Sequence, residues 1–183
     1  MKKVMLLGDS IRIAYQDFVV QELGDEYEVW HPEENGRFAK YTLNELERWF
    51  QACPAPDIIH WNNGLWDSAI VCKEDGMFTT VEEYLHDLFR IVRELKKHTP
   101  NVIFATTTPV KPNSANQKLE YVQALNEAAV PFLKEHGVVI DDLYAVASQN
   151  LEAYIGPDCI HPTELGARTF AKAVAASIRG ICH

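Results

Sequence analysis

Val4-Met5-Leu6-Leu7-Gly8-Asp9-Ser10-Ile11 is the stretch that decides how this chain folds. Four apolar residues run straight into Gly-Asp-Ser, and an amphipathic pattern starts at Ile11. A short buried strand turning sharply into a helix has this signature. Gly8 supplies the conformational freedom for the tight turn. Ser10 then stands at the carboxyl end of a strand and the amino end of a helix. Unpaired backbone N–H groups and the positive end of the helix dipole gather there and would stabilise an oxyanion. The Ser10 hydroxyl is therefore a candidate nucleophile. The plainer alternative is a helix N-cap, a common place for serine. This stretch alone does not separate the two.

Working outward, the pattern alternates. A helix is predicted over Ile11–Leu23, closed by Gly24. Strands are predicted over Tyr27–His31, Asp57–Trp61, Val102–Thr107 and Val138–Ile140. Helices are predicted over Tyr41–Ala52, Val81–Lys97, Asn116–His136, Leu143–Leu151 and Pro162–Ile178, with a loop over Ser68–Thr80. Five strands alternating with helices predict an α/β fold. It is a three-layer, doubly wound α/β/α sandwich on a five-stranded parallel sheet. Such folds bind ligands beyond the carboxyl ends of the strands. Gly8-Asp9-Ser10, Asn35-Gly36, Asn62-Asn63-Gly64 and Thr107-Thr108 all fall at those ends.

The length of 183 residues fits one domain, 1–183, with a sizeable core. Hydrophobic residues make up 47% and charged residues 23%, the composition of a globular protein. A net charge of −9 argues against a nucleic-acid partner. No run is long and apolar enough to span a membrane. Met1-Lys2-Lys3 resembles the start of a signal peptide, but the apolar run behind it ends after four residues, which predicts a cytoplasmic protein. Cys53, Cys72, Cys159 and Cys182 match no zinc spacing and are expected to be reduced and structural. No metal and no organic cofactor is expected. Nothing in the sequence speaks to oligomeric state.

Near the other end stands Asp158-Cys159-Ile160-His161-Pro162. Pro162 suits the first position of the last helix, where its missing N–H costs nothing. An acid three residues before His161 lies on the same side of one tight turn. The carboxylate thus reaches the imidazole without help from distant residues. A histidine oriented by a carboxylate is the base a serine hydroxyl needs. The alternative is an acidic cap at a helix start. Cys159 lies between acid and base with its side chain expected to point away.

Gly8-Asp9-Ser10-Ile11 near one end, with Asp158-Cys159-Ile160-His161 near the other, resembles the SGNH (GDSL-type) hydrolase superfamily across essentially the whole chain. The resemblance implies a flavodoxin-like α/β/α sandwich and an acyl-serine mechanism. Ser10 would be the nucleophile, His161 the base and Asp158 its orienting partner. It also implies an oxyanion hole made of the Ser10 N–H, a glycine N–H after the second strand and an asparagine amide after the third. Gly36 is the expected glycine, with the N–H groups of residues 37–40 as alternatives. The family's Gly-x-Asn-Asp is replaced here by His60-Trp61-Asn62-Asn63-Gly64-Leu65-Trp66-Asp67. Aligning on Gly64 puts Trp66 where the asparagine belongs, so Asn62 is the favoured donor and Asn63 the alternative.

The remaining candidates weigh less. Arg12 and Arg37 either hold a polar substrate group or, the better expectation, are surface or salt-bridged arginines. Trp61 and Trp66 either wall the site or pack in the core. His60, in mid-strand, is expected to be structural. The leading function is a serine esterase acting on short-chain, chiefly acetyl, esters of a small molecule, sugar esters among the candidates. The alternatives are a thioesterase or acyltransferase with the same triad, or a catalytically inactive carbohydrate-binding protein on this fold.

Overall fold

A computed structural model describes residues 1–181, so Cys182 lies outside the described residues. Five parallel strands form one sheet in the order β2-β1-β3-β4-β5. They are β1 (Lys2–Leu7), β2 (Tyr27–Trp30), β3 (Ile58–Trp61), β4 (Val102–Ala105) and β5 (Val139–Asp141). The helices are α1 (Ser10–Leu23), α2 (Ala39–Ala52), α3 (Val81–Leu95), α4 (Leu119–Glu135), α5 (Leu143–Ser148), α6 (Leu151–Tyr154) and α7 (Glu164–Gly180).

Val4–Leu7 of β1 and Val102–Ala105 of β4 read as unbroken apolar runs because helices cover both faces of the sheet there. Val4, Leu6, Ile58 and Ile103 pack with Tyr15, Phe170 and Val174, under α1 and α7. Met5, Leu7, Ile59, Trp61 and Phe104 face the other way, onto Trp49 of α2, Leu88 of α3 and Leu125 of α4. Val4 of β1 sits beside Ile58 of β3, and Leu7 beside Trp61. That register brings Gly8-Asp9-Ser10 and Asn62-Asn63 to the same edge of the sheet. Among the described residues, no helix is long and apolar enough to cross a membrane.

Several element ends differ from expectation. The last helix starts at Glu164, with Thr163 as its cap accepting from Gly166 N–H. Pro162 instead pairs with Ile155 in an antiparallel bridge. The Thr163 hydroxyl captures the helix start, and the proline serves the loop. The helix expected over Leu143–Leu151 breaks in two, because Asn150 caps a new turn by accepting from Ala153 N–H. α4 begins at Leu119, three residues later than predicted, after a loop.

α7 lies directly on the backbone of Tyr154. A Cβ placed on Gly166 would stand 2.1 Å from the Tyr154 carbonyl oxygen. That same oxygen accepts the Thr163 N–H at 2.8 Å. Gly166→Ala is therefore expected to cost about 1–3 kcal/mol, the usual range for overpacking against rigid backbone. Thermal unfolding should show a fall in Tm of roughly 2–12 °C. An unchanged Tm would mean that α7 does not sit so close.

Candidate active site

The turn after β1 is built by two residues with separate tasks. Gly8 has φ +149°, and a Cβ there would stand 1.9 Å from Asn62 Oδ1. Only glycine lets the asparagine approach so closely. Asp9, not Ser10, caps α1: its Oδ1 accepts the Ile11 N–H at 2.9 Å. The capping reading of Ser10 is thereby excluded, and its hydroxyl is left for another partner. Asp9 is fully buried. Burial raises its carboxyl above the usual range, while the Asn62 amide, the Ile11 N–H and the Arg12 charge pull the other way.

The partner of Ser10 arrives from the far end of the chain. His161 Nε2 lies 2.8 Å from Ser10 Oγ, and His161 Nδ1 lies 2.6 Å from Asp158 Oδ2. The loop between Ile155 and Pro162 fixes this pair. Gly156 N–H donates to His161 O at 2.7 Å, and Lys111 N–H donates to Cys159 O at 2.9 Å. Cys159 takes φ +69°, which bends the chain so that residues 158 and 161 share a side. Asp158 Oδ1 accepts the N–H groups of Ile160 and His161 at 3.0 and 2.9 Å. Partial burial pushes the Asp158 carboxyl up, but the Ile160 N–H, the imidazole and the His161 N–H outweigh it and hold it below its ordinary value. The site faces solvent: the side chains of His161 and Asp158 are 46% and 51% exposed.

The two asparagines after β3 part company. Asn63 is committed to the fold: its Oδ1 accepts from Trp61 Nε1, and its Nδ2 donates to Arg37 O at 3.0 Å. Asn62 lies against Gly8 beside Asp9, and its Oδ1 has no partner. Ser10 opens α1, so its N–H is one that the helix cannot pair internally. Gly36 is close by, but its N–H donates to Gly8 O at 2.9 Å. The N–H groups of Arg37 and Ala39 are likewise taken, by Asn35 Oδ1 and by Asp67. A donor from Gly36 would first have to leave Gly8.

Arg12 corrects the sequence reading. It is completely buried and neither at the surface nor in the cleft. Its Nη1 donates to Pro32 O at 2.9 Å and its Nη2 to Glu34 O at 2.6 Å, so it clamps the loop after β2 to α1. Arg37 is exposed and lies over the Tyr41 ring, 4.6 Å from its centroid. His60 is structural as expected, buried with Nε2 3.0 Å from Asp141 Oδ2. Trp61 packs in the core, edge-on to Phe104. Cys53, Cys72 and Cys159 are free thiols.

A cleft of about 720 Å³ opens beside Ser10 and His161. Phe38, Leu65, Trp66, Phe78 and Ile160 give it apolar walls, with Asn35 and Gln117 as polar points. Sequence reasoning missed Phe38, Phe78 and Gln117, because they come from loops that carry no periodicity. A larger groove of about 800 Å³ between α2 and α3 includes Phe50 and His98 but lies apart from this constellation. Among the described residues, no group of three or more His, Cys, Asp or Glu side chains is arranged to hold a metal ion.

No protein-family model matches the chain, and no curated protein matches it by sequence. Solved structures do match. A lipase/acylhydrolase from Enterococcus faecalis superposes with a TM-score of 0.82 at 17% identity, covering 98% of this chain and 96% of the other. An aryl esterase from M. smegmatis gives 0.80 at 15% identity, covering 99% and 100%. A carbohydrate acetylesterase from Sinorhizobium meliloti gives 0.80 at 13% identity, also covering 99% and 100%. A structure described as a member of the lipolytic G-D-S-L family from Veillonella parvula gives 0.76 at 15% identity. With five parallel strands between two helical layers and these structures matching over nearly their whole length, the chain has the α/β/α fold of GDSL-type hydrolases.

Proposed function

We propose that the protein is a serine esterase that cleaves short-chain acyl esters, acetyl esters foremost, through an acyl-serine intermediate. The observation that carries this reading is the contact of Ser10 Oγ with His161 Nε2 at 2.8 Å, with Asp158 on the other ring nitrogen. In this reading His161 takes the Ser10 proton as Oγ attacks the ester carbonyl carbon. The carbonyl oxygen becomes an oxyanion, held by the Ser10 N–H and the Asn62 amide. His161 then gives its proton to the departing alcohol. Next it takes one from water, which attacks the acyl group and frees Ser10. Asp158 keeps the imidazole in the tautomer that accepts at Nε2 and stabilises the imidazolium.

Acetyl esters of carbohydrates are favoured because two of the structural neighbours are a carbohydrate acetylesterase and an acetylxylan esterase. Free thiols at Cys53, Cys72 and Cys159 suit a reducing compartment, and on that ground we assign the protein to the cytoplasm.

The test is covalent labelling with a fluorophosphonate. Ser10 Oγ should attack phosphorus, fluoride should leave, and His161 should take the hydroxyl proton. The expected result is one adduct, found on the peptide that carries Ser10 and lost in His161→Ala. Folded protein that stays unlabelled would overturn the reading.

A further inference from the structure

Three aromatic side chains wall the cleft beside Ser10, and they come from separate segments. Phe38 precedes α2, Trp66 follows β3, and Phe78 lies in the loop before α3. The rings of Phe38 and Phe78 meet with centroids 5.2 Å apart. Trp66 and Phe78 remain 41% and 47% exposed. Large apolar rings left open around a nucleophile suit a ligand better than they suit water.

One residue ties all three segments together from behind. Asp67 directly follows Trp66 and is 1% exposed. Both of its carboxylate oxygens lie within reach of the Ala39 N–H, next to Phe38, at 3.2 and 3.1 Å. Its Oδ1 also accepts the Thr79 hydroxyl, next to Phe78, at 3.2 Å. Its backbone carbonyl accepts the Thr79 N–H at 3.0 Å. Phe38, the N-cap residue of α2, makes no capping bond of its own, so Asp67 caps that helix from a distance. Each of the aromatic residues is thus one peptide unit from a group fixed at Asp67.

We infer that Asp67 is the positioning residue of an aromatic substrate wall, and that this wall binds an apolar group on one side of the scissile ester. The inference rests on the esterase reading of the Ser10 site and deepens it. The ester's apolar group is either the acyl chain or an apolar face of the alcohol, the C–H face of an acetylated sugar included, and both place the same chemistry against Phe38, Trp66 and Phe78.

The carboxylate has its own pH response. Burial, and to a lesser degree the Asp9 charge, raise Asp67 to about 7, against the Ala39 N–H and the Thr79 hydroxyl, which favour the charged form. The groups that face it are Asp9 from the β1–α1 turn, Tyr84 from α3, Thr79 from the loop and the Ala39 N–H from α2. Above that pH the charged carboxylate accepts from both donors. Below it, a proton occupies one oxygen and the two-sided grip weakens.

The experiment compares kcat/KM for ethyl hexanoate, its isomer hexyl acetate, and ethyl acetate as the small reference. Taking ratios to ethyl acetate cancels the ionisation of His161, which all three esters share. Wild type should prefer one of the two isomers, which reports whether acyl or alcohol lies on the wall. Asp67→Asn should lower that preference about tenfold, mainly through KM, the scale of a lost apolar contact. Thr79→Val should lower it by about threefold, and Thr79→Ser should restore it. In wild type the preference should also fall as the pH drops from about 8 to about 6, and in Asp67→Asn it should be flat. If Asp67→Asn does not fold, the Thr79 pair and the wild-type pH series decide. Equal preference in every variant, or no preference in wild type, overturns the wall while leaving the esterase standing. Wild type that hydrolyses none of the esters and leaves Ser10 unlabelled instead removes the esterase reading beneath it.

Discussion

Ser10→Ala is expected to lower ester turnover by about four to six orders of magnitude, with no change in fold. The size follows from the geometry. A nucleophile acting together with a base loses the whole covalent route when its oxygen is removed, and only binding and the oxyanion donors remain. The hydroxyl does not cap α1, a task Asp9 performs through the Ile11 N–H, so the substitution removes chemistry and little stability. The measurement is turnover of p-nitrophenyl acetate by both proteins, with circular dichroism and thermal melting as controls. Equal rates would show that the observed hydrolysis takes place elsewhere.

The second large effect separates the two asparagines. Asn62→Ala should lower kcat by about 10²–10³, the cost of one oxyanion-hole donor, with KM nearly unchanged; the Asn62 amide also supports the buried Asp9 carboxylate, so a fall in Tm accompanies the kcat loss but does not account for it. Asn63→Ala should differ in kcat. Its side chain holds Trp61 Nε1 and Arg37 O, so its removal should lower Tm and affect kcat only through the loosened loop. A buried group left without its partner costs about 1–3 kcal/mol. Steady-state kinetics and melting on both variants check this contrast. A large kcat loss with Asn63→Ala at unchanged Tm would move the donor to Asn63.

Much of the architecture was legible in the sequence because it rests on local signals. Val4–Leu7 and Val102–Ala105 are apolar runs that only a sheet covered on both faces can bury. α3 announces itself through periodicity, and the structure adds a Thr80–Glu83 capping box at its start. The pairing of Ser10 with His161 was what the family resemblance implied, not what periodicity gave; in the structure α7 packs on α1, and the loop before α7 carries His161 to Ser10. What stayed hidden depends on tertiary partners. Arg12 reads as a surface arginine until the carbonyls of Pro32 and Glu34 are brought to it. Asp67 reads as a loop acid until the unpaired start of α2 arrives behind it. Gly36 has the residue type for a donor, yet which way its N–H turns depends on Gly8. The start of α7 was misjudged because proline and threonine both signal helix starts, and the hydroxyl at Thr163 took the cap.

The hydroxyl and the imidazole are separated by 151 positions along the polypeptide. A ribosome therefore releases the first long before it has made the second, so the half-made chain has the hydroxyl without the imidazole. The pair is complete only when the last helix is docked against the first. On the esterase reading proposed above, a protein wired in this way reports its own completion: a chain that does not fold to its end lacks the pair that would attack an acyl group.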